Sequence, residues 1–381
     1  MSDREGVSGR PLSEILKELK EKKPNIKDYR VFSLEYVPKE IFLRPQSEPI
    51  GRRILIHLEK GGGGSMMIIG DRGTGKTVTV RHLLKETEKI AINEEIPFQH
   101  FYIPAMVYRT TASILGFLAS GGSPDYGRVE KLRSRGSILW AEAKNVIDSK
   151  RTVIVIDEAD FLRDYTILYY LTRETQALII TISSSTKWVN NLGANILTSF
   201  QPEIVDFLPY SALELKEILL MRAKMGLETY DERGIELLSK IIADEYQGDA
   251  RYGIVALRYL GEENSWDESS IREAVLTSIK NIEGFTMRRI SREALELLRI
   301  VVARDKAMKQ EEYSTTSLFP AWHEKTGRTK PTFHERLEEL DKYGLITITE
   351  RKRGIPLSIS LRLRNTELIE EILKERGFPL Y

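Results

Sequence analysis

The residues from Gly70 to Thr77 carry the clearest chemical pattern in this sequence. They read Gly-Asp-Arg-Gly-Thr-Gly-Lys-Thr and match the pattern G-x-x-x-x-G-K-[ST] at every position. Glycines let the backbone wrap closely around a chain of phosphates, where a Cβ would intrude. The backbone amides then point inward at the positive end of the helix that follows. The pattern therefore predicts a phosphate site formed by Gly73, Thr74, Gly75, Lys76 and Thr77.

Two side chains of this loop have distinct expected roles. The ammonium group of Lys76 would reach the β- and γ-phosphates, and the Thr77 hydroxyl would bind Mg²⁺. We expect the Lys76 head group to face solvent when no ligand is bound. An apolar run at Met66–Ile69 precedes the loop and a helical pattern at Lys76–Ile90 follows it. This strand–loop–helix order favours a site for ATP or ADP with Mg²⁺ over a chance glycine-rich turn.

A second pattern places two acids at the end of an apolar run. Val153–Ile156 is followed directly by Asp157 and Glu158. A buried parallel strand delivers such acids to the carboxyl edge of its sheet, where ligands of these folds bind. Asp157 would hold Mg²⁺ through water, and Glu158 would polarise the attacking water. The alternative is that the acids only cap the next helix, and the phosphate loop upstream argues against it.

The surrounding segments indicate how these residues are positioned. Between residues 50 and 208, apolar runs such as His100–Ile103 and Leu178–Ile182 alternate with helical stretches such as Ser137–Ile147. Such alternation predicts a parallel sheet with helices on both faces. Residues 211–283 show only helical periodicity, which predicts a small helical domain. From Ser291, three helices and two strands joined by a basic turn follow the winged-helix plan.

Composition restricts the class of protein. The chain has 381 residues, 41% hydrophobic and 30% charged, which indicates a globular protein of more than one domain. It contains no Cys, which excludes disulfides, thiolate catalysis and Cys-based zinc sites. Without a signal-like segment or a membrane-length apolar run, we expect a cytoplasmic protein. The formal net charge is only +1, so any surface that binds nucleic acid must be local.

Together, the phosphate loop, the acids of Asp157–Asp160, the helical domain and the winged helix resemble AAA+ ATPases. The chain is most similar to the archaeal origin-recognition replication initiators, from about Tyr29 to its end. Three further segments carry the resemblance. They are Tyr36–Ile41 with Arg44, which looks like the adenine-side segment; Phe207–Tyr210 with Arg222, which looks like the domain junction; and Gly248–Arg251, which looks like the sensor-2 motif.

The resemblance implies an α/β fold, in which an AAA+ P-loop domain with a parallel sheet and helices is joined to a helical lid and a C-terminal winged helix. It also implies ATP or ADP with Mg²⁺ as cofactors. The expected domains are a polar N-terminal extension at 1–28, an AAA+ nucleotide-binding domain at 29–208, a helical lid at 209–284 and a winged-helix DNA-binding domain at 285–381.

Four roles outside the phosphate loop follow from the resemblance. Val37 and Pro38 would pack against the adenine, and the ring of Tyr210 would flank the nucleotide. Arg222 would contact the nucleotide at the domain junction. Arg251 would touch the γ-phosphate and so link the position of the lid to the nucleotide state. The alternatives are that Tyr210 only packs between domains and that Arg251 is a solvated helix charge.

Two departures from the family pattern concern hydrolysis. The family carries an Asn at the end of the strand after the acids, and the aligned residue here is Ser184. The stretch Gly193–Gln201, where AAA+ proteins often place an arginine finger, contains no Arg or Lys. We therefore expect a weak ATPase that serves as a switch, with Lys76, Asp157, Glu158, Ser184 and Arg251 as its catalytic residues.

The winged-helix segment carries a local basic excess. Residues 324–364 contain ten Lys or Arg against six Asp or Glu. Acids on the outer side of the third helix would repel DNA, so we expect only the N-terminal end of that helix to approach the groove. The alternative is a winged helix that binds protein. The predicted DNA-binding residues are Lys330, Thr332, His334 and Arg336 at the helix start and Arg351, Lys352 and Arg353 in the basic turn.

These patterns favour a nucleotide-switched initiator of DNA replication. Its expected partners are double-stranded origin DNA and, from the resemblance, other initiator paralogues and the replicative helicase. No membrane partner is expected, and the protein would be associated with the nucleoid. Two alternatives stay open: a nucleotide-gated transcriptional regulator, and an AAA+ motor or chaperone whose winged helix binds protein.

Overall fold

A five-stranded parallel sheet forms the centre of the first half of the chain. The computed structural model describes residues 24–123, 136–308, 312–349, 357–363 and 365–380. The strand order is β2-β3-β4-β1-β5. The strands are β1 (Gly64–Gly70), β2 (Phe98–Pro104), β3 (Arg151–Asp157), β4 (Leu178–Ile182) and β5 (Glu203–Phe207).

The register of this sheet decides which loops meet. Pro104 pairs with Asp157, and Ile156 pairs with Thr181, so β2, β3 and β4 end at one edge. Strand β4 lies between β3 and β1, and Ile68 pairs with Ile182. The phosphate loop after β1 and the acids after β3 therefore flank the end of β4 on the same side of the molecule.

Helices cover both faces of the sheet, and a separate apolar cluster lies on each face. The face against α1 and α2 contains Ile50, Ile54, Val80 and Leu84, all nearly inaccessible. The helices are α1 (Ser47–Lys60), α2 (Lys76–Asn93), α3 (Thr111–Ala119), α4 (Gly136–Asp148), α5 (Thr166–Glu174) and α6 (Ala194–Leu197).

The second region is a bundle of four helices. Its first helix begins with a capping box, in which Ser211 and Glu214 satisfy each other's backbone amides. Its third helix is capped by Asp249, whose side chain accepts from the amide of Arg251. The helices are α7 (Ala212–Gly226), α8 (Glu232–Glu245), α9 (Ala250–Glu263) and α10 (Glu268–Met287).

The C-terminal region has the predicted winged-helix plan with one addition. A short strand, β6, pairs with β8 to make a three-stranded sheet of order β6-β8-β7, which the sequence pattern did not predict. The basic turn with Arg351, Lys352 and Arg353 lies outside the described residues. The elements are α11 (Arg292–Met308), β6 (Tyr313–Ser314), α12 (Thr315–Thr326), α13 (Lys330–Lys342), β7 (Ile346–Thr349), β8 (Ser358–Leu361) and α14 (Thr366–Glu375).

The helical lid and the winged helix share one hydrophobic core. A single buried cluster runs from Leu215 and Leu257 in the lid to Trp322 and Leu373 in the winged helix. The sheet domain keeps its own two clusters. The predicted architecture of parallel sheet, helical lid and winged helix is thus confirmed, and the last two parts pack as one body. Within the described part of the chain, no helix is long and apolar enough to cross a membrane.

Candidate nucleotide-binding site

The phosphate loop has the close-wrapped shape that its glycines predict. Gly73 and Gly75 have φ angles of 72° and 86°, in the left-handed region. A Cβ on Gly73 would lie 1.7 Å from Asp249 Oδ1, and one on Gly75 would lie 2.0 Å from the Tyr210 hydroxyl. Only glycine fits at either position. Thr74 is buried and its hydroxyl donates to the Asp71 carbonyl, 2.8 Å away, which pins the loop.

The expectation that Lys76 faces solvent is wrong. The side chain is half-buried, and its ammonium group donates to the carbonyl oxygens of Gly70 and Asp71, both 2.6 Å away. Burial lowers the pKa of Lys76 to about 8. The physical reason is that the carbonyls of the loop itself lie within hydrogen-bonding distance of the ammonium group. Lys76 therefore ties the two ends of the loop together.

Thr77 and Asp157 meet as predicted for a shared magnesium site. The Thr77 hydroxyl donates to Asp157 Oδ2 over 2.9 Å. The Tyr102 hydroxyl, from the neighbouring strand β2, also donates to Asp157 Oδ2. These oxygen ligands fit Mg²⁺. The described residues contain no group of three or more His, Asp or Glu that could hold a metal alone, so phosphates and water would complete the coordination.

Glu158 has a strained backbone at the mouth of the site. Its φ and ψ are 56° and 45°, a left-handed conformation that costs a non-glycine residue roughly 1–2 kcal/mol. The side chain is half-buried. Burial raises the pKa of Glu158 to about 7, with the neighbouring Asp157 charge adding to the effect. A carboxylate with such a pKa is suited to accept a proton from water near neutral pH.

Ser184 reaches the same part of the site and is already paired. Its hydroxyl donates to Asp160 Oδ2 at 2.9 Å. Burial raises the pKa of Asp160, and this hydrogen bond partly opposes the shift. Ser184 thus lies at the cavity wall, and its hydroxyl is bonded to Asp160, a carboxylate that was not among the predicted site residues. Its predicted catalytic role stays a prediction.

Arg222 makes its hydrogen bonds to protein backbone. It donates to the carbonyl oxygens of Val31 and, at 3.1 Å, Tyr36. Burial lowers the pKa of Arg222 to about 10. These contacts hold the segment that delivers Val37 and Pro38 to the site. Its predicted direct contact with the nucleotide stays a prediction.

The lid is closed onto the phosphate loop through the sensor-2 segment. The Ala250 amide donates to the Gly73 carbonyl at 3.3 Å. Arg251 donates through Nε to Asp249 Oδ1 at 3.0 Å, and its Nη2 lies 3.9 Å from Glu283. Burial alone would lower the pKa of Arg251, but the Asp249 carboxylate outweighs it and the pKa lies above its usual value. Arg251 is therefore a paired, fully charged cation beside the loop.

The winged helix forms one wall of the site, which the sequence did not predict. Tyr343 packs edge-on against Phe161, with ring centroids 5.5 Å apart, and Lys342 Nζ lies 4.1 Å from the Phe161 centroid. Lys187 donates to Asp341 Oδ2 at 2.8 Å. No local signal could have found these contacts, because they join residues more than 150 positions apart in the chain.

One cavity of about 410 Å³ joins these parts, which is a suitable size for a small-molecule ligand. Phe42, Met221 and Met225 contribute apolar surface to its wall. Of the predicted nucleotide residues, the structure brings these to the cavity wall: Val37, Pro38, Gly73, Gly75, Lys76, Thr77, Asp157, Glu158, Ser184, Tyr210, Arg222 and Arg251. Thr74 is absent from the wall because its side chain is buried inside the loop, where its hydroxyl donates to the Asp71 carbonyl.

The residues predicted to bind DNA differ in their exposure and in the bonds that they make to the rest of the protein. Lys330 is exposed, and Thr332 and His334 are half-buried at the same end of α13. Arg336 donates to Glu339 Oε2 at 2.6 Å and to the Ser291 hydroxyl at 2.9 Å. Arg336 is thus tied to the protein itself and could contact DNA only at the expense of these bonds.

Comparisons with known proteins agree with the family resemblance of the sequence. Residues 58–203 match the family model described as "AAA domain". The ORC1-type DNA replication protein of Thermococcus kodakarensis is 29% identical over 369 residues, which cover 90% of this chain and 89% of that protein. The ORC1-type DNA replication protein of Pyrococcus furiosus is 31% identical over 68% of this chain and 65% of its own length.

Solved structures show the same fold. Aeropyrum pernix ORC1 in complex with DNA superposes with a TM-score of 0.67 at 22% identity, covering 93% of this chain and 98% of that one. Aeropyrum pernix ORC2, solved as ADPNP–ADP complexes, gives a TM-score of 0.62 at 22% identity, covering 92% and 99%. The chain is therefore similar over most of its length to an archaeal ORC1-type DNA replication protein, matches an AAA domain at residues 58–203 and has the fold of the Aeropyrum pernix ORC proteins.

Proposed function

We propose that this protein is a DNA replication initiator that binds ATP and ADP, recognises origin duplex through its winged helix and changes its domain geometry with the nucleotide. The observation that carries this proposal is the shared cavity. Residues of the sheet domain (Lys76), the lid (Arg251) and the winged helix (Tyr343) line the same space. A ligand in that space would contact all three parts and could bias their arrangement.

Nucleotide binding is supported by the chemistry of the cavity and by the relatives. Its phosphate end combines Lys76 with the inward-facing loop, and ORC2 of Aeropyrum pernix was solved with ADPNP and ADP. Thr77 and Asp157 would hold Mg²⁺, which would neutralise phosphate charge when bound. Lys76 would exchange the carbonyls of Gly70 and Asp71 for phosphate oxygens. Glu158 would accept the proton of the attacking water.

Hydrolysis would be slow and would reset the switch. Ser184 is shorter than the Asn that the family carries, and Gly193–Gln201 offers no cation to a neighbouring subunit. A missing arginine finger costs about 10³- to 10⁵-fold in related phosphoryl transfer. We expect turnover well below about one per second, with no acceleration as protein concentration rises. Steady-state assays over a range of concentrations test this, and fast turnover that rises with concentration would favour the motor reading.

Duplex binding is supported by the exposed start of α13 and by the family. Lys330, Thr332 and His334 lie at this end without a described ion pair. ORC1 of Aeropyrum pernix was solved in complex with DNA. We extend the proposal to the basic turn of Arg351, Lys352 and Arg353, as phosphate contacts beside the groove. Initiator paralogues and the replicative helicase are proposed as further partners.

The test uses the full-length protein, because the lid and the winged helix share a core and a winged-helix fragment would lose part of it. Duplex affinity is measured with ATP, with ADP and without nucleotide, and bound sites are mapped on the genome against the positions where replication starts. Coincidence with replication starts supports the initiator. Bound sites at promoters alone would favour the regulator, and no duplex binding in any state would favour the protein-binding motor or chaperone.

A further inference from the structure

Arg72 is a residue of the phosphate loop to which the motif assigns no role. It occupies a variable position between Asp71 and Gly73, yet its side chain lines the nucleotide cavity together with Lys76 and Glu158. A long cation at this place faces the same space that a phosphate chain would fill. Its contacts therefore decide what it does there.

The contacts of Arg72 go to the winged helix. Its Nη2 donates to the Lys342 carbonyl at 2.9 Å, and its guanidinium lies 6.0 Å from the ring centroid of Tyr343. A Cβ on Gly344 would lie 3.3 Å from Arg72 Cδ, so the arginine stem occupies the space beside this glycine. Lys342 ends α13, the helix whose other end is predicted to approach DNA. The phosphate loop and this helix thus meet through one side chain.

Arg72 makes no direct ion pair with any described residue. No carboxylate of the described chain lies within ion-pair distance of it, whereas Arg251, next to it in the same cavity, is paired with Asp249. Burial lowers the pKa of Arg72 and the like charge of Arg251 adds to the effect, whereas the more distant carboxylates of Glu283 and Glu158 oppose it. A half-buried cation that no carboxylate contacts directly is only partly compensated, and an anion bound beside it would complete the compensation.

Arg72 has unused N–H donors that could bind such an anion. A guanidinium carries five N–H donors, and the one described hydrogen bond of Arg72 uses a single one. Its planar fork suits phosphate oxygens. It can therefore bind a phosphate without leaving the Lys342 carbonyl, which fixes its position from the other side.

We infer that Arg72 donates to the terminal phosphate of ATP while it stays hydrogen-bonded to Lys342, so that ATP and the docked winged helix stabilise each other. This inference rests on the nucleotide binding proposed above and adds a residue that distinguishes ATP from ADP within one chain. The coupling is reciprocal: whatever docks the winged helix raises ATP affinity, and ATP raises the docked population by the same factor.

The test compares ATP and ADP affinities, with Mg²⁺, for the full-length parent and Arg72→Ala by calorimetry. Hydrogen bonds to charged groups contribute about 1.5–3 kcal/mol, so ATP affinity should fall at least about tenfold. ADP affinity should stay within about twofold. Arg72→Lys, which keeps the charge and loses the fork, should recover part of the ATP affinity.

A matched control is Arg362→Ala. Arg362 Nη2 lies 2.7 Å from Asp71 Oδ1, so this variant removes a neighbouring contact between the same two domains and leaves Arg72 in place. Its ATP-to-ADP preference should stay within about threefold of the parent. If Arg362→Ala matches Arg72→Ala, the effect comes from docking and the phosphate contact is refuted.

Hydrogen exchange tests the coupling directly. In the parent, the amides of Tyr343, Gly344 and Leu345 should exchange more slowly with ATP than with ADP, and Arg72→Ala should abolish the difference. Equal losses of ATP and ADP affinity, or no loss of either, overturn the inference while nucleotide binding by the parent stands. If the parent binds neither nucleotide, the proposed function fails and this inference fails with it.

Discussion

The nucleotide cavity and the end of the winged helix that we propose to bind DNA hold their functional groups in opposite ways. In the cavity, Lys76, Thr77 and Asp157 are fixed by hydrogen bonds within the protein, from Lys76 to the loop carbonyls and from Thr77 to Asp157. At the start of α13, Lys330 is exposed and His334 half-buried, without such bonds. A small, multiply charged ligand requires several groups at set distances. A long duplex requires only a sufficient number of cations along its backbone.

This difference predicts how each region responds to damage. Removing one residue of the preorganised cavity leaves its partners misplaced, so the loss of nucleotide affinity or turnover should be large and should depend on the residue removed. Removing one exposed cation should weaken duplex binding only slightly, and the effects of several such changes should add. The following variants test that contrast.

Lys76→Ala should cause the largest effect. It removes charge-assisted hydrogen bonds to two phosphates, each of about 1.5–3 kcal/mol, so ATP and ADP affinity should fall about 10²- to 10⁴-fold. It also removes the bonds to Gly70 and Asp71 that stabilise the loop. Calorimetry with Lys89→Ala, an exposed change on the same helix, as control measures this. Affinity within a few-fold of the parent would falsify the phosphate-loop assignment.

Glu158→Gln should lower turnover by about 10²-fold or more and leave ATP affinity unchanged. A general base contributes about 10²- to 10⁴-fold, and the amide cannot accept the proton. Single-turnover hydrolysis and ATP binding are measured on the same preparation. Unchanged turnover would show that another group activates the water, and weakened ATP binding would show that Glu158 supports the ligand itself.

Alanine at Arg351, Lys352 and Arg353 together should have a smaller, graded effect. Each lost phosphate contact changes the slope of log affinity against log salt by about 0.9, so all three change it by about 2.7. Between 50 and 200 mM salt the parent should then lose about 40-fold more affinity than the variant. Titrations with two unrelated duplexes should agree. An unchanged slope would mean that the turn does not contact the backbone, and Lys374→Ala on α14 serves as control.

The smallest effect concerns acid stability of the nucleotide-binding domain. His57 lies on the buried face of α1, with its Nε2 2.9 Å from the Thr152 carbonyl, and burial lowers its pKa. The unfolded chain then binds the proton more tightly, so the free energy of unfolding falls as pH drops through about 6.5 toward the folded pKa. His57→Gln should lose less stability than the parent between pH 7.5 and 5.5 in denaturant titrations. A parallel loss in both proteins would assign the acid sensitivity to other groups.

The sequence predicted the phosphate loop and the acids of the nucleotide cavity better than it predicted the other residues that line that cavity. The phosphate loop and the acids after β3 are local patterns whose chemistry depends on neighbours in the chain, and the structure brings them together. Tyr102 and the wall formed by Lys342 and Tyr343 depend on strand order and domain docking, which no local pattern encodes. The error over Lys76 has the same origin, because its acceptors are carbonyls whose direction only the folded loop defines.

The left-handed backbone of Glu158 has a consequence for evolution and engineering. The position favours Gly or Asn on conformational grounds, since those residues adopt this region with little strain. Neither could take a proton from water. A library of this protein selected only for heat resistance should therefore enrich Asn or Gly at position 158 and become inactive as it does so. Glutamate at this strained position would then reflect selection for the proposed reaction over selection for stability.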